Sequence, residues 1–162
     1  MAHSEFVTVY VGLGANLGDA QAAVKRAVVE LAKLPLTKLE ACSQLYRSAP
    51  FEAQGPDFVN AVVQLQTRLN AFDLLLACQA IESRAGRERP YRNAPRTLDV
   101  DVLLYGSACI DSAFLTIPHP RMRDRAFVML PLKEIAPELV TQDEIQQLMG
   151  QEMGLIGENK LT

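Results

Sequence analysis

Residues 98–104 read Leu-Asp-Val-Asp-Val-Leu-Leu, and this stretch restricts the fold more than any other. Apolar residues at alternate places, two of them β-branched, predict a β-strand, whose side chains point in turn to opposite faces. Leu98, Val100, Val102 and Leu104 then share one face, and Asp99 and Asp101 the other. A sheet covered on both sides would have to bury both carboxylates, at high cost unless they are paired. The sheet therefore needs unlike faces, one packed against helices and one left polar.

The rest of the chain supplies such a sheet. A first strand is expected over residues 6–13, with Val7, Val9, Val11 and Leu13 on one face. A helix follows from Asp19, with Val24, Ala27, Val28 and Leu31 in its apolar stripe, and Pro35 ends it. Residues 37–47 read as a second strand and "SAPFEAQGPD" as a loop. In a third strand over 58–66, Val59, Ala61, Val63 and Leu65 oppose Phe58, Asn60 and Gln64. Asn70 caps a second helix carrying Leu74, Leu75, Cys78, Ile81 and Ala85, which Gly86 closes. After the aspartate strand the signals weaken to a short strand near Cys109–Ile110 and helical stretches near 131–139 and 142–149. The order β-α-β-β-α-β predicts an α+β, ferredoxin-like domain. Its four-stranded antiparallel sheet has both long helices on one face and an open ligand-binding face. No linker divides the chain, so residues 1–162 form one domain.

Composition narrows the function. The start "MAHSEFVTVYVG" lacks a signal peptide's basic flank and apolar stretch, and no apolar run nears the roughly 18 residues of a membrane span. A cytoplasmic protein is expected. Cys42, Cys78 and Cys109 stand far apart without a CxxC pair, and there are 2 histidines, so zinc or disulfide frameworks are disfavoured and three buried thiols expected. "GLGANLG" imitates a dinucleotide-binding turn, but Leu17 occupies the third glycine's place and Gly18 comes one residue late. Those glycines instead let the chain turn and let backbone approach a ligand closely.

The net charge of −3 argues against general nucleic-acid binding, yet the charge is uneven. Five of the 11 arginines lie between Arg84 and Arg96, and three between Arg121 and Arg125. Guanidinium forks suit phosphate oxygens, so a small, highly phosphorylated ligand is the better fit. Asp99 and Asp101, about 7 Å apart along a strand, repel unless a cation lies between them. Mg²⁺ takes one or two carboxylates and completes its shell with phosphate and water. The plainer alternative is two solvated aspartates or partners for nearby arginines. A basic segment on each side favours the metal–phosphate reading. An RNA-binding or regulatory module of the same topology would not place two carboxylates on its ligand face.

"RNAPRTLDVDVLL" resembles the signature of the 6-hydroxymethyl-7,8-dihydropterin pyrophosphokinases. "GLGANLGD", "LYRSAPF", "DFVNAVVQLQT", "IESRAGR" and "TIPHPRMRDRAFVMLPLKEIAPEL" agree in order. The resemblance spans about residues 6–140, and the C-terminal tail carries no recognisable motif. It implies a monomer that moves pyrophosphate from ATP to the hydroxymethyl group of a reduced pterin, releasing AMP, a step in folate biosynthesis. It implies two Mg²⁺ ions on Asp99 and Asp101, with Arg87 and Arg96 stabilising the moving phosphoryl charge. ATP would be held at Gln79, Glu82, Arg89, Arg92, Arg96, Thr116, His119 and Arg125. The pterin would sit against Ser48, Ala49 and Phe51, stacked on Phe58 and Phe127 and hydrogen-bonded by Asn60. Phe58 stands where the family often has Tyr. The arginine-rich loop is one residue shorter than in a bacterial relative, with Asn93 where a Trp can stand.

Overall fold

The computed structural model describes residues 2–50, 55–86 and 98–156. Within them the chain runs β1 (Ala2–Ala15), α1 (Ala20–Ala32), β2 (Thr37–Cys42), β3 (Tyr46–Ser48), β4 (Phe58–Leu69), α2 (Ala71–Gly86) and β5 (Asp99–Tyr105). It continues through β6 (Ile110–Asp111), β7 (Thr116–Ile117), α3 (Ala126–Ile135), α4 (Gln142–Gln147) and β8 (Met153–Leu155). The main sheet has the order β5-β1-β4, with β2 and β3 both on the far side of β4 and β8 beyond β3. Every neighbouring pair in it is antiparallel. This is the ferredoxin-like arrangement, extended by one edge strand. β6 and β7 form a separate small ribbon.

Local chemistry sets the helix starts. The Asp19 carboxylate accepts from the Ala22 N–H at 3.1 Å, and Asn70 Oδ1 accepts from the Asp73 N–H at 2.8 Å. α1 buries Val24, Ala27, Val28 and Leu31, and α2 buries Ala71, Leu74, Cys78 and Ile81. Both stripes pack against Val9, Val11 and Leu13 of β1 and Val59, Ala61, Val63 and Leu65 of β4. Leu31, Leu65, Leu74 and Ile81 are fully enclosed, and each contributes roughly 1.5–3 kcal/mol by leaving water.

The opposite face is covered over part of its length. Met129 and Leu132 of α3 pack there on Tyr10, Val62 and Leu103, forming a second apolar cluster. What remains open is the end bearing Gly12, Gly14, Phe58, Asn60, Asp99 and Asp101. One strand residue departs from expectation. Leu104 does not join Leu98, Val100 and Val102 on the helix-covered face but packs with Leu103 in the second cluster. The cause is a register shift between β1 and β5: Val11 lies opposite Val102 and Tyr10 opposite Leu104, so Leu103 is the extra residue of a bulge.

The expected second strand is divided. Its pairing with β4 slips by one residue between Leu39 and Ala41. Between Cys42 (opposite Val63) and Tyr46 (opposite Asn60), the edge strand uses four steps against three. The buried Ser43 fills this break: Val62 N–H donates to its Oγ at 3.0 Å, and the Oγ donates to the Gln44 carbonyl at 2.8 Å. Ser43→Ala is expected to lower stability by about 1–3 kcal/mol, because Val62 N–H loses a buried acceptor. Urea unfolding measures this, and an unchanged midpoint would refute it.

Two further expectations are corrected. The helix expected from residue 131 begins at Ala126, with Pro131 inside it. The apolar run Ala126–Leu132 buries itself on the sheet, and that packing outweighs the hydrogen bond Pro131 cannot make. The three cysteines are not all buried: Cys78 is, Cys42 is half-buried, and Cys109 is exposed just after the turn that follows β5. α4 (Gln142–Gln147) meets the helix expected near 142–149, and β8 follows it as a strand the sequence did not announce. Among the described residues no helix is long and apolar enough to cross a membrane.

Candidate active site

The open end of the sheet forms the floor of a cavity of about 850 Å³. Its floor is set by register. Gly14 lies opposite Asp99 on one side and Asn60 on the other, and Gly12 lies between Asp101 and Val62. The two glycines thus form a bare strip separating the carboxylates of β5 from the amide of β4. A Cβ on Gly14 would come within 3.3 Å of Asn60 Oδ1, and one on Gly12 within 3.4 Å of the Leu103 side chain. Asn60 is buried, and its Nδ2 donates to the buried Ser48 Oγ at 2.7 Å, which fixes the amide orientation.

Ser48, Ala49, Pro50 and Phe58 line one wall. Arg121, Asp124, Arg125, Phe127, Val128 and Gln151 line the cavity as well, and Met153 of the tail lies opposite Ser48. The Arg125 guanidinium lies over the Phe127 ring, 5.4 Å from its centroid, an attraction that orients both.

The cavity brings together Ser48, Ala49, Phe58, Asn60, Asp99, Asp101, Arg125 and Phe127 from the residues expected at a site. Gln79, Glu82, Thr116 and His119 are not among its lining. Gln79 is exposed on α2, and Thr116 is half-buried in β7. Glu82 reaches β5 from α2, its Oε2 accepting from the Val100 N–H at 2.8 Å, between the two aspartates in sequence. His119 is tied to the bulge, its N–H donating to the Leu103 carbonyl at 2.9 Å, while its Nδ1 accepts from the Arg121 N–H at 3.2 Å. Burial lowers the His119 pKa, opposed by Asp101 and reinforced by Arg125 and Arg121. Burial, with Glu82 and Asp101 nearby, pushes the Cys78 thiol up to about 12, so it remains protonated. Phe51, Arg87, Arg89, Arg92 and Arg96 lie outside the described residues.

Arg121, Asp124 and the tail residues were not singled out from the sequence, although Arg121 belongs to the second basic segment. Among the described lining residues, four carboxylates (Asp99, Asp101, Asp124, Glu152) face two guanidiniums. By themselves these described residues carry more negative than positive charge toward a polyphosphate. A carboxylate pair beside a bare strip, in one cavity with arginines and aromatic rings, places the molecule among α+β enzymes of phosphoryl-type transfer.

The comparisons give the family. A family model described as 7,8-dihydro-6-hydroxymethylpterin-pyrophosphokinase matches residues 10–137. A Pseudomonas aeruginosa protein named 2-amino-4-hydroxy-6-hydroxymethyldihydropteridine pyrophosphokinase is 46% identical over 136 residues, covering 83% of this chain and 84% of its own. A Haemophilus influenzae protein of the same name is 43% identical over 135 residues, covering 83% and 84%. The fold is shared with a solved HPPK-DHPS in complex with substrates (TM-score 0.70, 11% identity, 91% of this chain) and with a Plasmodium falciparum HPPK-DHPS (TM-score 0.67, 13% identity, 90% of this chain). This chain spans 43% of the length of each of those longer chains. The chain belongs to the 6-hydroxymethyl-7,8-dihydropterin pyrophosphokinase family. It is an ATP-dependent diphosphotransferase of folate biosynthesis.

Proposed function

We propose that the pyrophosphoryl group of ATP passes to the hydroxymethyl group of a reduced pterin within this cavity, with Asp99 and Asp101 holding two Mg²⁺ ions beside it. A bond forms between the hydroxymethyl oxygen and the β-phosphorus as the hydroxyl proton passes to water, the bond from the β-phosphorus to the α,β-bridging oxygen breaks, and AMP leaves with that oxygen. The observation that carries this reading is the row Asp101 and Asp99, Gly12 and Gly14, then Asn60 across three adjacent strands. It sets hard oxygen ligands at one end of a flat floor and an amide at the other.

The donor set suits Mg²⁺. Among the described residues no three His, Cys, Asp or Glu side chains converge, so two carboxylates would leave the remaining positions to phosphate and water. When bound, Mg²⁺ would supply charge neutralisation for the triphosphate and lower the hydroxyl pKa. The chain's own residues position the reactants. Asn60, fixed by Ser48, would read the heterocycle edge, and Phe58 and Phe127 would hold its faces. Arg125 would hold ATP, together with Gln79, Glu82, Arg89, Arg92, Thr116 and His119, and Arg87 and Arg96 would meet the developing charge. The enzyme would act as a cytoplasmic monomer, one domain throughout, with no nucleic-acid partner.

The test is AMP release from ATP, measured with and without 6-hydroxymethyl-7,8-dihydropterin and with and without Mg²⁺. Release that requires both is expected. Release independent of the pterin would refute the reading.

A further inference from the structure

We propose that the C-terminal tail completes the active site, with Gln151 acting as a positioning residue for Arg125. The family match ends at residue 137, so nothing in it assigns a role to this segment.

The tail is built into the cavity at three levels. Leu148 is buried in the apolar cluster beneath α3, anchoring one end. Beyond the cavity, β8 pairs with β3, Met153 lying opposite Ser48, and the buried Ile156 donates its N–H to the Leu45 carbonyl at 3.1 Å. Between these anchors the chain crosses the cavity wall. There the Gln151 carboxamide makes two hydrogen bonds: its Oε1 accepts from the Ala126 N–H and its Nε2 donates to the Asp124 carbonyl, each at 2.8 Å.

Those two groups are the backbone on either side of Arg125. Arg125 is also where the chain changes from a 3₁₀ turn into α3. Its φ and ψ are extended, and it sits at the N-cap place without a side-chain cap of its own. The Ala126 N–H is one of the first-turn donors that a helix leaves unpaired, and Gln151 satisfies it from outside. An amide is the side chain suited to this place, because one bond needs an acceptor and the other a donor. The clamp fixes the direction in which Arg125 leaves the backbone, and so the placing of its guanidinium over Phe127.

This inference rests on the reading that Arg125 holds ATP, and the experiment separates the two. Binding of a non-hydrolysable ATP analogue with Mg²⁺ is measured by titration calorimetry for the full-length wild type, Arg125→Ala, Gln151→Ala and the double variant. Gln151→Ala is expected to weaken binding about fivefold or more, since two backbone hydrogen bonds are lost. In the Arg125→Ala background the same change is expected to add almost nothing, because a positioning residue has no effect once its target is gone. In turnover, the loss should fall on KM for ATP more than on kcat. Gln151→Glu keeps the acceptor but sets an oxygen against the Asp124 carbonyl, and it should fare no better than Ala. Undiminished binding by Gln151→Ala overturns the proposal while leaving the Arg125 reading intact. A full, additive loss in the double variant makes Gln151 merely structural and overturns it too. Wild-type binding by Arg125→Ala removes both the reading and the inference.

Discussion

Replacing Asp101 by Ala is expected to slow AMP release by about 10²- to 10³-fold or more, on the scale of losing a main electrostatic group at a reacting centre. The fold should survive. Asp101 faces the cavity opposite Gly12, while Val100 and Val102 make the strand's buried contacts on the other face. Removing one of two neighbouring carboxylates relieves repulsion and leaves no apolar void. The unfolding midpoint should therefore stay level or rise. Asp101→Asn keeps shape and removes charge, and an equal loss in that variant would assign the effect to charge. A spectroscopic check is built in. Asp101 raises the pKa of His119 against the lowering effect of burial and of Arg125 and Arg121, so its removal should move the His119 titration to still lower pH. NMR titration of His119 reads this in the same sample. An Asp101→Ala enzyme that keeps a tenth of the wild-type rate would end the case for a carboxylate-held cation.

Much of this architecture was legible because period-2 alternation is a local property. Val59 to Leu65 against Phe58 to Gln64, and Val100 and Val102 against the aspartates, declare two faces without knowledge of any partner. The helix stripes and the caps at Asp19 and Asn70 are equally local. The features that stayed hidden depend on what lies across a ladder. Nothing in the composition of Leu103 marks it as a bulge. Its extra place exists only relative to β1, and it sends both Leu103 and Leu104 onto α3. β8 is three residues, Met-Gly-Leu, too short to show a period, and β3 makes it a strand. Gln151 was invisible for a related reason: a side-chain amide that bonds distant backbone leaves no pattern of residue types.

The acidity of the described lining also changes how the two basic segments are understood. Read along the chain, the arginines suggest a phosphate-binding surface. In three dimensions, Arg121 and Arg125 share the cavity with Asp99, Asp101, Asp124 and Glu152, so the described lining has no excess of positive charge. On the proposed reading, cations brought by the nucleotide itself would tip the balance. A described lining with more carboxylates than guanidiniums repels a bare polyphosphate. It also makes phosphate binding strongly dependent on divalent metal.

The second large effect is expected at Gly14, where function and stability should separate. Gly14→Val is expected to reduce pterin-dependent turnover by about 10²-fold or more, the cost of displacing reactants by roughly an ångström. The first added carbon would stand 3.3 Å from Asn60 Oδ1, and the two methyl groups beyond it would rise from the floor between Asn60 and Asp99. That floor is where the ring and the reacting phosphate would meet. Stability should fall only modestly, by what the Asn60 amide loses in shifting a few tenths of an ångström. Gly14 lies in β1 paired on both sides, its backbone has no positive φ, and valine is favoured over glycine in strands by up to about 1 kcal/mol. A shift of no more than a few degrees in the unfolding midpoint is expected. Gly106→Val makes the contrasting control. Gly106 has a φ of 53°, and a Cβ there would stand 3.0 Å from Val7 Cγ1, away from the cavity. That variant should lose stability through backbone strain while its folded fraction keeps wild-type KM values. Thermal unfolding and steady-state kinetics on both proteins decide the matter. If Gly14→Val turns over at the wild-type rate, the glycine strip is not the floor on which the substrates meet. If it fails only by unfolding, the strip's role is structural.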